Sequence, residues 1–283
     1  MEILLTGSEG FIGSRLFNEF AEKDIVVCGY DLVNGDDIRD KRKLEFVFET
    51  NSFDVVIHCA ALAGVRRGEL YPEEYISTNV IGTKNVIDLC EKYGITHCIN
   101  FSSSSVYGSD KKTGLKENAK KNPKSIYGMT KLMAEQIVER SSIKTTTIRP
   151  FTVYGENGRG DQVIKKWINQ IKAGQPITFF GDGHTGRGYT YLGDLVDGVM
   201  KVIEHSKGGT YNLGGSQFVT LDGLLIIFNE VYGQLRANIL DIPKGDNQFN
   251  FADTSKALKD LGWKPTTDFR DKLIKILKDE KEL

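Results

Sequence analysis

Glu2-Ile3-Leu4-Leu5-Thr6-Gly7-Ser8-Glu9-Gly10-Phe11-Ile12-Gly13 is an apolar run that stops at Thr6-Gly7 and passes through three glycines. It continues into Ile12, Leu16, Phe17 and Phe20, apolar positions at helical spacing. A second apolar run, Ile25 to Tyr30, ends at Asp31. The pattern is a β-α-β unit with a glycine-rich first turn. Glycines let the backbone turn sharply and approach a pyrophosphate, whose charge is favoured among the free N–H groups of a helix N-terminus. A carboxylate at the end of the second strand accepts hydrogen bonds from an adenosine ribose. The spacing is G-x-x-G-x-x-G rather than G-x-G-x-x-G, but strand, helix and acid stand in the right order. Dinucleotide binding is expected through Gly7, Gly10, Phe11, Ile12, Gly13 and Asp31. Asp31 repels a 2′-phosphate and no cation follows it in Leu32-Val33-Asn34-Gly35, which favours NAD over NADP. Asp37-Ile38 reads either as an adenine contact or as a polar turn.

The alternation continues. Asp54 to Cys59 reads as a strand ending in Ala60-Ala61, residues small enough to let a cofactor approach. Pro72 to Tyr93 reads as a long helix, Thr96 to Phe101 as a strand, 125–140 as a helix and Thr145 to Arg149 as a strand. This is the pattern of an α/β fold, a Rossmann-type doubly wound parallel sheet. After Pro150 the repetition loosens. Helices are expected over Gln162 to Ala173, Leu195 to Ile203, Leu221 to Tyr232, Ser255 to Leu261 and Phe269 to Leu277, with a strand at Ile177 to Phe180. The expected division is an NAD-binding unit at 1–150, with 189–206 packing back on it. A smaller, mostly helical substrate unit is expected from 151–188 and 207–283.

The chain has 283 residues and a formal net charge of -1, which argues against a polyanion-binding surface and so against nucleic acid as a partner. Short basic clusters such as Lys41-Arg42-Lys43 read as solvated. No apolar stretch approaches the ~20 residues needed to span a membrane. The opening stretch reads as a buried strand, not a signal peptide. Cys28, Cys59, Cys90 and Cys98 form no C-x-x-C pair and read as reduced core thiols of a cytoplasmic protein. The four histidines lack ligand spacing, and no metal site is expected.

Tyr127 precedes Lys131 by four positions, downstream of the serine run Ser102 to Ser105. A free tyrosine, with a pKa near ~10, is a poor base at neutral pH. A lysine at i+4 shares its helix face, and an ammonium there favours the phenolate. The pair therefore offers a base for an alcohol whose hydride passes to NAD. The serines lie at the C-terminal end of a strand, the edge of a parallel sheet where ligands bind.

In these residues the chain resembles the extended short-chain dehydrogenase/reductase family, among its NAD-dependent nucleotide-sugar epimerases and dehydratases. The resemblance is carried by Gly7/Gly10/Gly13, Asp31, Asp37-Ile38, Cys59-Ala60-Ala61, Asn79, Ser103 with Val106-Tyr107-Gly108, and Tyr127/Lys131. Arg149-Pro150, Val153-Tyr154-Gly155, Gly181-Asp182-Gly183 with Arg187, Asp194 and Leu261-Gly262-Trp263-Lys264-Pro265 extend it to nearly the full length. The resemblance implies Ser103, Tyr127 and Lys131 as the catalytic set. It implies a homodimer, Arg187 and Asp246 at the nucleotide diphosphate, and Asn79 supporting the catalytic-serine loop. Dehydratases carry Asp-Glu directly after the catalytic serine, where this chain has Ser104-Ser105, so elimination of water is not expected.

Locally the chain is most similar to UDP-glucuronate 4-epimerases, through Ala63-Gly64-Val65-Arg66, the serine run with Val106-Tyr107-Gly108, Phe151-Thr152-Val153-Tyr154-Gly155 and Gly158-Arg159. This similarity implies a UDP-sugar substrate held by Arg66, Asn79, Ser104, Ser105, Thr152, Arg159, Arg187 and Asp246. Ser104, Ser105, Thr152 and Arg159 are the implied neighbours of the sugar carboxylate. A neutral UDP-hexose, and a decarboxylase or reductase outcome, are the alternatives. Three departures bear on the substrate. Pro243 stands where relatives carry a diphosphate arginine, Gly188 where an acid commonly follows Arg187, and Glu156 where a proline is usual.

Overall fold

A computed structural model describes residues 1–108, 113–242 and 247–282. The chain runs β1 (Glu2–Thr6), α1 (Phe11–Glu22), β2 (Val26–Tyr30), α2 (Lys41–Thr50), β3 (Val55–His58), α3 (Val65–Leu70), α4 (Pro72–Ile76), α5 (Thr83–Lys92), β4 (His97–Phe101), α6 (Ile126–Glu139) and β5 (Thr145–Pro150). It continues β6 (Val153–Tyr154), α7 (Val163–Lys172), β7 (Ile177–Phe180), β8 (Gly186–Gly188), β9 (Thr190–Tyr191), α8 (Leu192–His205) and β10 (Gly209–Leu213). It closes with β11 (Phe218–Thr220), α9 (Leu221–Tyr232), β12 (Ala237–Leu240), β13 (Phe249–Asn250), α10 (Ser255–Leu261) and α11 (Phe269–Glu282).

Six strands form one parallel sheet in the order β10-β5-β4-β3-β1-β2. From β1 the chain crosses to β2 on one side and then to β3 on the other, which makes the β1–β3 crevice a topological switch point. Both sheet faces are covered. Ile3 and Leu5 pack into one core with Leu16, Phe20 and Val199, while Leu4 enters the opposite core with Val86 and Leu89. Burial on both faces explains why β1 and β3 read as continuous apolar runs.

Three features depart from the sequence reading. The Lys41-Arg42-Lys43 cluster is exposed, as expected, but it forms the first turn of an unexpected helix, α2, where Asp40 accepts from the Arg42 and Lys43 N–H groups while Leu44 and Phe48 enter the core. The long helix from Pro72 is interrupted by a π-helical turn, Ser77–Gly82. Asn79 in that turn accepts from Leu62 N–H at 2.8 Å and donates to Leu62 O at 3.0 Å, satisfying the loop after β3. Gly209–Leu213, expected in the substrate unit, instead adds a strand beside β5.

Leu192–His205 does pack against α1 in the first core, which also takes Ala257, Leu261 and Trp263 from the C-terminal segment. Asp194 ties that segment down by accepting from the N–H and hydroxyl groups of Thr266 and Thr267. A third core, around Trp167, Phe179, Phe228 and Leu273, joins α7, β7, α9 and α11.

Candidate active site

The C-terminal ends of β1, β3, β4 and β5 open on a cavity of about 710 Å³. Of the residues expected at the site, Gly7, Gly10, Phe11, Ile12, Gly13, Cys59, Ala61, Arg66, Ser103, Ser104, Ser105, Tyr127, Lys131, Thr152, Arg159 and Arg187 line it. Asp31, Asp37, Ile38, Ala60 and Asn79 are not in its wall. Asp246, with Pro243 and Lys244, lies outside the described residues.

The glycine turn fits a dinucleotide. Gly7 has φ of 75°, and a Cβ on it would lie 2.6 Å from Ala60 N; a Cβ on Gly13 would lie 1.9 Å from Gly7 O. These two glycines are required by the protein's own packing. Gly10 faces the cavity at the N-terminus of α1, where no side chain caps the helix and its first turn carries no acid. Such an end favours an anion. Asp31 accepts from Glu9 N–H at 2.9 Å and Val33 N–H at 3.0 Å, which anchors the glycine turn to the end of β2. Asp37 is committed to Arg39, whose guanidinium lowers its pKa, and Ile38 belongs to the core.

Tyr127 stands in the first turn of α6, a helix capped by the Ser125 side chain, which accepts from Gly128 N–H. The Ser103 side chain acts on the Tyr127 phenol, and the Ser103 oxygen accepts from Ser105 N–H at 3.1 Å. The Tyr127 and Tyr75 rings meet edge to face, with centroids 6.3 Å apart. Burial pushes the Tyr127 pKa above its ordinary value; the Ser103 side chain and the Arg159 charge pull it down, and Asp161 pushes it up. Lys131 does share the buried face of α6, but its charge acts on Cys59 and His58 at the end of β3 and meets Glu135 one turn on. In the protein alone Lys131 is not among the groups that shift the tyrosine, and desolvation leaves the phenol above its ordinary pKa.

Burial also pushes Lys131 down to about 8, against the opposing pull of Cys59 and Glu135. An unfolded lysine titrates near ~10.4. The unfolded chain thus binds the extra proton between about pH 8 and pH 10.4, and stability contributed at this site rises with pH through that window. Below it the buried ammonium costs on the order of 3 kcal/mol. We expect Lys131→Met to be more stable than wild type at pH 7 in urea titrations, with the advantage shrinking by pH 10. An advantage that does not change with pH would contradict this.

Two buried polar networks hold the machinery. Arg149 on β5 donates from Nε and Nη2 to the Glu135 carboxylate, each at 2.7 Å, and from Nη1 to the Tyr107 hydroxyl at 2.7 Å. Ser102 donates to Glu135 at 2.5 Å, so the residue beside Ser103 is tied to the helix of Tyr127. Burial opposes ionisation of Glu135, but Arg149 outweighs it and keeps the carboxyl below its usual range. In the second network, His58 bridges the Thr6 and Thr83 hydroxyls at 2.8 and 2.9 Å. Burial, helped by the Lys131 charge, pushes His58 to about 3 and holds it neutral. Thr83 donates to Asn79 O, and Asn79 donates to Thr130. Asn79 thus supports the Leu62 loop and α6 rather than the serine loop, because the π turn aims its amide there.

At the cavity wall, the Ser104 hydroxyl accepts from Asn250 at 2.7 Å. Thr152 has φ of 22°, unusual for a β-branched residue, and Thr190 N–H holds its carbonyl at 3.1 Å. Arg159 is engaged by Asp161, from Nε at 3.0 Å and Nη2 at 2.6 Å. Arg187 donates to the backbone carbonyls of Gly186 and Gln248 rather than to an acid. Arg66 lies 4.5 Å and Lys166 5.3 Å from the Phe180 ring centroid, which sets two cations beside one another at the cavity wall. Asp161, Lys166, Phe180, Tyr75 and Asn250 were not singled out by sequence. Only Asp161 carried a signal, an acid two positions from a candidate arginine.

Comparison with known proteins agrees with this geometry. A UDP-glucuronate 4-epimerase from Thermodesulfobacterium geofontis is 29% identical, over 99% of this chain and 96% of its own length. The solved UDP-glucuronic acid 4-epimerase from Bacillus cereus, in complex with UDP-glucuronic acid and NAD, superposes with a TM-score of 0.91 at 28% identity, covering 100% of this chain and 99% of that one. The UDP-glucose 4-epimerase of Thermotoga maritima, solved with UDP-glucose, gives 0.90 at 25% identity, with 100% and 99% covered. Residues 3–214, from the first strand through the sixth strand of the sheet, match the family profile throughout, and the chain belongs to the NAD dependent epimerase/dehydratase family.

Proposed function

We propose that this chain is an NAD-dependent epimerase that inverts C4 of a UDP-sugar, converting UDP-glucuronate to UDP-galacturonate through a transient 4-keto sugar. The observation that carries the reading is one cavity with three parts. The uncapped N-terminus of α1, the pair Tyr127 and Ser103, and the group Thr152, Ser104, Ser105 and Arg159 all line it. The relatives named for UDP-glucuronate epimerisation support the choice of sugar.

What a bound nicotinamide dinucleotide supplies is reversible hydride acceptance. The rest falls to the chain. Gly7, Gly10 and Gly13 bring backbone to the pyrophosphate, and Asp31 accepts from the adenosine ribose. Tyr127 takes the C4 hydroxyl proton and later returns it, while Ser103 hydrogen-bonds the reacting oxygen. Lys131 supplies positive charge below them and binds the nicotinamide ribose. Arg66, Arg187 and Asp246 hold the nucleotide end while the keto sugar turns over. The hydroxyls of Ser104, Ser105 and Thr152 with the Arg159 guanidinium hold the carboxylate out of line with the C4 carbonyl, which prevents loss of carbon dioxide. The dinucleotide thus belongs to the β1–β5 edge of the large sheet, and the sugar nucleotide to the α7, β7 and β8 side. Neutral UDP-hexoses are a second reading, favoured by the internal pairing of Arg159 with Asp161.

Quantifying nucleotide released from the denatured protein tests the redox part. Close to one NAD per chain supports an epimerase that regenerates its cofactor; a protein that releases none, and needs added dinucleotide for each turnover, would overturn it. We also propose a homodimer in a reducing cytoplasm, the latter supported by four free cysteines. Ile76, Ile81, Met129 and Met133 are between 43% and 49% exposed on α4, the π turn and α6, which pack side by side. A second copy would cover them. Light scattering should give twice the 31.6 kDa chain mass, reverting to monomer in Met129→Lys/Met133→Lys. A wild-type monomer at micromolar concentration would refute the dimer.

A further inference from the structure

We propose that Asp161 is a specificity-determining residue, whose carboxylate compensates the Arg159 guanidinium and so limits how strongly the pocket prefers a carboxylated sugar to a neutral one. This rests on Arg159 belonging to the sugar pocket. Asp161 takes the Nε–Nη2 edge of the guanidinium, at 3.0 and 2.6 Å. A guanidinium has five N–H donors in a rigid fork, so its Nη1 side remains for a second carboxylate. Both residues line the cavity, and the pair rests on the Gly64 backbone, where an added Cβ would lie 3.0 Å from Asp161 Oδ2 and 3.5 Å from Arg159 Nη2. A substrate carboxylate bound to Arg159 therefore shares it with an anion already in place.

Two effects compete when the Asp161 charge is removed. Arg159 loses an orienting partner, but Arg159 and Asp161 are 33% and 54% exposed, and exposed pairs of this kind contribute little. Opposing that, two carboxylates on one guanidinium lie within about 5 Å of each other, where repulsion in a partly desolvated cleft is several times the orienting effect. Repulsion wins. Removal of the charge should tighten binding of carboxylated sugars and leave neutral ones nearly unaffected.

The same pair flanks the base, with Arg159 favouring the Tyr127 phenolate and Asp161 disfavouring it. The other polar and charged groups around the base are Ser103 and Tyr75, with Arg67 acting on Tyr75 and Glu69 accepting from Ile126 N–H; Lys131 and Glu135 lie along its own helix. Neutralising Asp161 should then let Tyr127 ionise at lower pH whichever sugar is bound. A purely structural role for Asp161 would move neither selectivity nor the pH profile in this direction.

The test is steady-state kinetics and equilibrium binding with UDP-glucuronate and UDP-glucose for wild type, Asp161→Asn and Asp161→Ser, the smaller serine serving should asparagine perturb folding. We expect the KM and Kd for UDP-glucuronate to fall roughly tenfold, those for UDP-glucose to stay within about twofold, and the alkaline-activated limb of kcat to move to lower pH. Equal effects on both sugars, or weaker binding of UDP-glucuronate, would overturn the proposal. Should wild type bind UDP-glucuronate without turning it over, the substrate reading fails, and the Kd ratio still decides the role of Asp161.

Discussion

Replacing Tyr127 with phenylalanine should lower turnover by about 10²–10⁴-fold, the usual contribution of a positioned proton-transfer group, with dinucleotide content and thermal stability near wild type. The substitution removes one hydroxyl, and with it the influence of Ser103 on a titratable phenol. The Tyr75 edge contact and the rest of the buried ring remain. Tyr75, the tyrosine packed against it, is engaged elsewhere and donates to Ala63 O at 2.6 Å. Because burial holds the phenol above its ordinary pKa, wild-type activity should rise with pH toward the alkaline side. A Tyr127→Phe protein retaining a third of wild-type turnover would rule this chemistry out.

The largest effect on stability should come from Glu135. Its carboxylate and the Arg149 guanidinium are 0% and 1% exposed, and removing one partner strands the other charge away from water. Glu135→Ala should cost about 3–5 kcal/mol, a large part of the stability of an ordinary domain. Replacing both partners by apolar residues of similar volume, Glu135→Leu with Arg149→Met, should restore most of the loss. Urea titrations of the three proteins read this directly. A loss under about 1 kcal/mol in the single variant would mean that water reaches Arg149. Ser102 also loses its acceptor in Glu135→Ala, so kcat should fall even in molecules that remain folded.

What the sequence made legible followed from periodicity. The first β-α-β unit was readable because its apolar residues keep the strand and helix periods, and because Gly7, Gly10 and Gly13 punctuate the turn between them. Most helices and strands lie within a few residues of where the pattern put them. The π turn was not readable, because it depends on Asn79 satisfying Leu62 across the fold. Nor was β10: Gly209-Thr210-Tyr211-Asn212-Leu213 has weak alternation, and its parallel partner β5 lies some 60 residues away. α2 was hidden by its basic first turn.

At the site, the sequence points to residues whose types are unusual for their place, such as Tyr127, Lys131 and the serine run, and these line one cavity. It did not find their electrostatics. That Lys131 faces Cys59 and Glu135, and that Asp161 already holds Arg159, are facts of three-dimensional placement with no local signature.

The most direct test of the central claim is NMR analysis of the sugar product after incubating the purified protein with UDP-glucuronate. We expect an equilibrium mixture of UDP-glucuronate and UDP-galacturonate, with the carboxylate retained and no dinucleotide consumed. Unchanged UDP-glucuronate beside converted UDP-glucose, or a pentose product with release of carbon dioxide, would contradict it.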